Sequence, residues 1–318
     1  MIKGLAITPP VLGRIAIGRL VEQDGKRRPV MDDEFRITSQ VQGAEGWVRH
    51  PLDEQLRQAQ GEGKLREIPV GLPFSAPSLN LRAEYALFDR EAGRPLCVGD
   101  GEQCRRRTQA GMATLPCPAP EGCELAAGGR CKPYGRLNVV IGDDDPLGTF
   151  IFRTTGFNSI RTLAARLAYF QAASGKRLAC LPLALRLRGK STRQSYGRPI
   201  YYVDLTLRQG WNLEETLAEA HRLAQERQAI GFDQQALDHA AQQGLANGAF
   251  EDSAEEHAEI AEEFAPASPA TGETGSSPAG STGATAVSLA DKLAEHTPAA
   301  SASPADTGEA PEPPASTA

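Results

Sequence analysis

The stretch Arg136 to Lys176, RLNVVIGDDDPLGTFIFRTTGFNSIRTLAARLAYFQAASGK, carries two hydrophobic periods side by side. Leu137 to Ile141 and Thr149 to Arg153 are short apolar runs on either side of Asp143-Asp144-Asp145-Pro146, which is turn chemistry, so the first half reads as a β-hairpin. In the second half Ile160, Leu163, Ala164, Leu167 and Phe170 recur at helical spacing, with Asn158 or Ser159 placed to cap the helix and Gly175 where a left-handed C′ residue belongs. A hairpin running straight into one amphipathic helix, with no regular strand–helix alternation elsewhere, predicts an α+β fold rather than a doubly wound sheet.

Upstream, strands are expected at Arg14–Glu22, Glu34–Ser39, Ile68–Phe74 and Leu79–Asp89, and a short helix after His50. The turn REAGRP leads from Leu79–Asp89 into a strand ending near Cys97, a second hairpin. Downstream, RLACLPLALRL and PIYYVDLTL read as strands joined by RGKSTRQSYGR. Asn212 caps a helix with an acidic first turn, which the helix dipole favours, and another helix runs from Gln234 to Gln243. The expected organisation is an α+β domain over residues 1–210 with mainly antiparallel strands, a helical extension over 211–250, and a disordered tail over 251–318. That tail is Ala/Pro/Ser-rich, and within it SLADKLAEH, Ser288 to His296, is a candidate for a short partner-induced helix.

Charge is divided unevenly along the chain. From Glu251 onward there are thirteen acidic residues against Lys292 alone, whereas residues 1–250 hold 33 basic and 27 acidic residues. A mildly basic body with an acidic tail points to nucleic-acid contact or to a tail that screens the body, and a purely solubilising tail is the plain alternative. No apolar run reaches the length of a membrane span, and Pro9, Pro10 and Arg14 interrupt any leader-like segment. The expectation is a cytoplasmic protein whose thiols stay reduced.

That expectation bears on the cysteines. Five of the six fall in Cys97-x6-Cys104-x12-Cys117-x5-Cys123-x7-Cys131, among glycines and prolines in a segment read as loop-rich. Four thiolates held by short Gly/Pro-containing loops are the chemistry of a structural zinc site, although the spacing lacks the close Cys pairs of a zinc ribbon. Cys117, Cys123 and Cys131 are the first three candidate ligands. The fourth is Cys97 or Cys104; Cys97 is favoured because it ends a strand, whereas Cys104 precedes Arg105-Arg106-Arg107, a run suited to phosphate. Cys180 reads as a buried residue of an apolar strand.

Two basic loops, Arg105–Arg107 and the segment carrying Arg186, Arg188, Lys190, Arg193 and Arg198, are candidate contacts for nucleic acid or a partner, with Tyr196 available for stacking. Asp143 to Asp145, with His50 or Asp89, are the candidates for metal-dependent hydrolysis or nuclease chemistry, the alternative reading. There is no HExxH, no phosphate-binding loop and no nucleophile elbow.

Three blocks carry a resemblance: IPVGLPF followed by SLNLRAEYALFDREAGRPLCVGDGEQ, then CPAPEGCELAAGGRCKPYGRLNV, then GTFIFRTTGFNSIRTLAARLAYF. In content and order they resemble the recombination directionality factor-like family of actinobacteriophages. Relatives of that family in integrative elements and prophages carry the label "hydrolase or metal-binding protein". The resemblance spans roughly residues 1–210 and implies a non-enzymatic accessory protein of a mobile genetic element. Such a protein binds a site-specific recombinase already on DNA and switches it from integration to excision. The family's cysteines match Cys97, Cys117, Cys123 and Cys131, which implies a structural Zn2+ on those four, with Cys104 an extra of this chain.

Overall fold

The computed structural model describes residues 9–247 and Ile260, apart from residues 24–25, 44–45, 62, 90–93, 143–144, 146, 192, 194–195 and 198; for residues 19–31, 94 and 245–247 it describes the backbone alone. The candidate helix at Ser288 to His296, Asp143, Asp144 and Arg198 therefore lie outside the described residues. One compact unit runs Met1–Pro269; the second, Ala270–Ala318, lies outside the described residues.

The chain opens with β1 (Val11–Gln23), β2 (Lys26–Gly43) and β3 (Gly46–Arg49), followed by α1 (Pro51–Ala59) and β4 (Glu67–Val70). A one-turn helix α2 (Pro77–Asn80) leads into β5 (Leu81–Asp89), β6 (Arg94–Gly99), β7 (Gln103–Thr108) and β8 (Gly111–Pro116). After the one-turn α3 (Ala119–Gly122) come β9 (Cys131–Val139), β10 (Thr149–Thr154), α4 (Phe157–Ala173), β11 (Leu183–Lys190), β12 (Ile200–Leu207), α5 (Leu213–Ala229) and α6 (Gln234–Asn247).

These strands form a nine-stranded sheet in the order β3-β2-β1-β10-β9-β5-β6-β7-β8 and a three-stranded sheet β12-β11-β4. All neighbours are antiparallel except β1 and β10, which run parallel, so the large sheet is mixed and the α+β expectation holds. The hairpin read from Leu137 and Thr149 is present, with Leu137 opposite Phe152 and Val139 opposite Phe150.

Those four side chains point to one face of the large sheet and join Ile15, Phe35, Ile37 and Leu81 in the main core. The small sheet contributes Ile68, Val70, Leu183, Leu185, Val203 and Leu205, and α4 contributes Leu163, Leu167 and Phe170. Each such side chain contributes about 1.5–3 kcal/mol on burial, so this layer supplies the main drive to fold. At Gly135 a Cβ would stand 2.9 Å from Cγ1 of Ile160, so the missing side chain is what lets α4 approach β9.

The N-terminus of α4 differs from the sequence reading. Gly156 is the N-cap, without a side-chain hydrogen bond. Asn158 and Ser159 instead reach across to the small sheet: Lys190 Nζ donates to Asn158 Oδ1 at 2.8 Å, and the Val203 amide donates to Ser159 Oγ at 3.0 Å. At the other end Gly175 takes φ +59 as expected. Cys180 lies in a 3-10 turn over Leu178–Cys180, before β11 begins at Leu183, and is buried in the core as expected.

Residues 211–247 do not stand apart from the domain. Asn212 and Glu215 form a reciprocal capping box on α5, whose Ala220 is buried in the main core with Leu217, Leu223 and Ala224 against it. In α6, Ala241 and Leu237 pack on Phe74 and Leu79, and the Asp238 carboxylate accepts from the Ser75 amide at 3.1 Å. Burial raises the Asp238 pKa above the ordinary carboxylate value. On α1, Asp53 is fully buried; it accepts from the Ile37 amide at 2.8 Å and from Arg57 Nε at 2.7 Å, while Arg57 also holds Glu34 at 2.6 Å.

Candidate metal centre

The segment read as loop contains a β-hairpin, β7–β8, and this hairpin sets where the thiols point. Register places Cys131, Leu87, Cys97, Arg106 and Ala113 in one row across β9, β5, β6, β7 and β8. Residues in one row share a face, and residues two apart on a strand share it as well. Cys104 pairs with Gly99 and Leu115, so it lies on the same face as Cys97. Leu87, Cys97 and Cys104 form a buried cluster against which Leu96, Leu115, Cys117 and Cys131 pack.

The chain then folds back over this cluster. The Cys117 amide donates to the Glu102 carbonyl at 2.8 Å, and Cys123 caps the C-terminal end of α3. Gly99 gives Cys104 its room: a Cβ there would stand 2.6 Å from the Cys104 Cβ and 2.6 Å from the Gln103 carbonyl oxygen. Cys104 Sγ faces the Pro116 carbonyl at 3.8 Å, and Arg106 Nη2 approaches the same sulfur at 3.9 Å.

Electrostatics ties all five thiols together. The Cys131 thiol is pushed up to about 11, first by burial and then by Cys97, Cys117, Cys123 and Cys104. Cys104 is also pushed up to about 11, first by burial and then by a hydrogen bond with Cys97. A bound dication would reverse this and hold the sulfurs as thiolates. The cluster has the donor chemistry of a thiolate zinc site. Among the described residues, however, no three His, Cys, Asp or Glu side chains stand together as a group that could hold a metal ion.

The arginine run divides between two faces. Arg106 points into the thiol cluster, where a hydrogen bond with Cys97 raises its pKa, so it is not the exposed phosphate contact read from the sequence. Arg105 and Arg107 alternate to the other face. In the second basic loop Arg188 Nε donates to the buried Asp204 carboxylate at 2.7 Å, and Arg166 donates to the same carboxylate at 3.0 Å. Arg186 is bound to Glu67, and Lys190 lies 5.6 Å from the Tyr202 ring centroid as well as on Asn158. These three cations stitch β11 to its neighbours; Arg193 and Tyr196 are exposed at the turn.

The hydrolase candidates have structural partners. His50 caps α1, its Nδ1 accepting from the Leu52 amide at 3.3 Å while the ring meets Phe150 edge-on at 5.0 Å. Asp145 Oδ1 accepts from the Leu147 and Gly148 amides at 3.1 and 2.9 Å and fixes the turn before β10. Asp89 ends β5 and is engaged.

Sequence reasoning missed the outer face of the large sheet. Arg82, Arg136 and Arg153 form one row across β5, β9 and β10, and Lys132, Ala86, Val98 and Arg105 form another across β9, β5, β6 and β7. Both rows point away from the main core. The alternation of Arg136 with Leu137 and of Arg153 with Phe152 is the sequence signal that could have found the first.

A model of the Gp3-like family, described as recombination directionality factor-like, matches residues 12–208, which run from β1 through β12 and include the whole thiol cluster. The chain belongs to that family. Membership places this recombination directionality factor-like protein with the accessory factors of phage and mobile-element recombination, which act with recombinases or DNA. Helices α5 and α6 lie beyond the matched span. Comparison with curated proteins and with solved structures gave no match. Among the described residues no helix is long and apolar enough to cross a membrane.

Proposed function

We propose that this protein is a non-enzymatic, zinc-stabilised accessory factor of a phage or integrative element that binds a site-specific recombinase on its DNA and sets the direction of recombination. Cys97, Cys117, Cys123 and Cys131 are the ligands of the zinc, which is structural. What supports the metal reading is the shared row of Cys97 and Cys131, with Cys104 and Cys117 packed into the same buried cluster. Cys97 is preferred over Cys104 because Cys97 shares the register row of Cys131, whereas Cys104 sits deeper, is 3 % exposed and faces the Pro116 carbonyl. Family membership carries the recombinase reading. Zinc bound there would cross-link the ends of β6 and β9 to the loop after β8 and fix the shape of the β7–β8 hairpin.

The test is metal content together with thiol titration on full-length protein purified without added metal. One zinc per chain with four protected thiols supports the site, and metal-free protein with every thiol reactive in the folded state overturns it. Pull-down of the recombinase encoded by the same element, with and without its attachment-site DNA, tests the partner. Failure to retain recombinase in either condition overturns that half of the reading.

A further inference from the structure

β1 and β2 run on past their other neighbours in the large sheet. β1 pairs with β10 only from Val11 to Ile15, and β2 pairs with β3 only from Thr38 to Gly43. Among the described residues, 19–23 and 26–30 pair with each other alone. The sequence reading placed strands at Arg14–Glu22 and Glu34–Ser39 and assigned nothing between them, so it did not find this two-stranded ribbon. A bulge sets the ribbon off from the sheet. Between the pairs Ile17–Phe35 and Arg19–Val30, Gly18 alone stands against Met31, Asp32, Asp33 and Glu34. Gly18 takes φ +101, which glycine adopts without strain, and a bulge bends and re-aims the strand that carries it.

Register sorts the charges of the ribbon. Arg19 is opposite Val30, Val21 opposite Arg28 and Gln23 opposite Lys26, so these six positions share one face. Leu20 opposite Pro29 and Glu22 opposite Arg27 share the other. The first face holds three cations and no carboxylate, whereas the second holds one of each. Asp24, between the two strands in sequence, is the only other acid from residue 19 to residue 30. The acids at the base are matched by cations of the body: Asp32 by Arg36 at 3.1 Å, Asp33 by Lys64 and Arg66, and Glu34 by Arg57 at 2.6 Å and Arg36 at 3.3 Å.

Two properties select the occupant of the cationic face. The open edges of the ribbon are guarded, since Pro29 lacks an N–H and charged residues stand on both strands, and such devices keep a strand from joining another sheet. Charge therefore decides over strand addition. The dimensions also fit a nucleic-acid duplex: two strands about 4.8 Å apart and five residue pairs, about 17 Å in length, enter a major groove about 12 Å wide. We propose that the ribbon is a DNA-binding arm whose face of Arg19, Lys26 and Arg28 takes the backbone phosphates of duplex DNA. The contact tolerates any sequence, because phosphate contacts position a protein without reading bases. It goes beyond the recombinase reading and needs neither zinc nor recombinase, because the arm meets the duplex directly.

The experiment compares full-length protein with the triple variant Arg19→Gln, Lys26→Gln, Arg28→Gln and with Arg27→Gln, which alters the opposite face. Binding to a fluorescent duplex of arbitrary sequence is followed between about 50 and 200 mM salt. The triple variant should bind about tenfold or more weakly, and its plot of log affinity against log salt should flatten by about 0.9 for each of the three phosphates lost. Arg27→Gln should keep the slope of the parent. In the parent, saturating duplex should slow amide exchange at residues 19–23 and 26–30, a readout that needs no variant. Unchanged affinity and slope in the triple variant, an equal loss in Arg27→Gln, or unprotected amides under saturating duplex each overturn the assignment. A parent that binds no duplex, with recombinase capture lost in the triple variant, gives the ribbon to a protein partner and overturns the DNA reading while sparing the recombinase one.

Discussion

Cys97 and Cys131 stand in one register row on either side of Leu87, so two thiols 34 positions apart in the chain face the same way from strands flanking β5. If both are ligands, Cys131→Ser removes the bound zinc and loosens residues 97–131, because structural zinc contributes about 10–16 kcal/mol in small zinc domains. Cys104→Ser leaves the metal in place. Metal analysis of the two purified variants decides between them, and full zinc occupancy in Cys131→Ser would sink the assignment.

Gly99 is where a single methyl group does most harm to the cluster. Its Cβ would meet the Cys104 Cβ and the Gln103 carbonyl, so Gly99→Ala costs about 1–3 kcal/mol as an overpacking substitution. Gly63→Ala meets nothing within 4 Å and stays within about 0.5 kcal/mol of the parent. Urea denaturation of the pair measures the contrast, and equal midpoints would contradict it.

Asp53 links α1 to β2 from a fully buried position. Asp53→Ala leaves the Ile37 amide without its acceptor and Arg57 short of one partner, and costs about 3–5 kcal/mol. Asp53→Asn keeps an acceptor for the Ile37 amide and costs less. The order of the two melting temperatures is the check.

His50 makes stability depend on pH near neutrality. Burial lowers its pKa below 6.5, and Nδ1 must be unprotonated to accept from the Leu52 amide. Its contribution of about 1 kcal/mol is therefore complete above about pH 6.5 and is lost as pH falls through the lower folded value. Melting temperatures measured from pH 8 to pH 5 should fall more steeply in the parent than in His50→Asn, and parallel curves would remove His50 as the cause.

The parts of the fold that were legible in the sequence have apolar side chains at a clean period. Helix α4 and the β9–β10 hairpin were found because Leu163, Leu167, Leu137 and Phe152 mark the buried face directly. The β7–β8 hairpin escaped because its inward positions are Cys104 and Arg106, which look nothing like a core strand, and because Gly111, Met112 and Ala113 read as a loop. The thiol face was legible as a cluster of cysteines but not as a geometry, since register across four strands decides which sulfurs align. Arg188 looked like a phosphate contact because its partner, Asp204, lies on the neighbouring strand and not nearby in the chain.

The parallel pairing of β1 with β10 has a consequence for how the chain is assembled during synthesis. β1 to β3 can pair among themselves by local antiparallel contacts as soon as residue 49 is made, and β5 to β10 can pair once residue 154 is made, with β5 and β9 joining residues 44 to 56 positions apart. The seam between the two blocks joins Val11 to Thr149 and Ile15 to Phe152. No local contact helps to close it, so it should be the slow, late step of folding. Until it closes, the β1 edge that faces β10 is an open template for pairing with another chain. Aggregation during expression should therefore depend on how long the first block waits for the second.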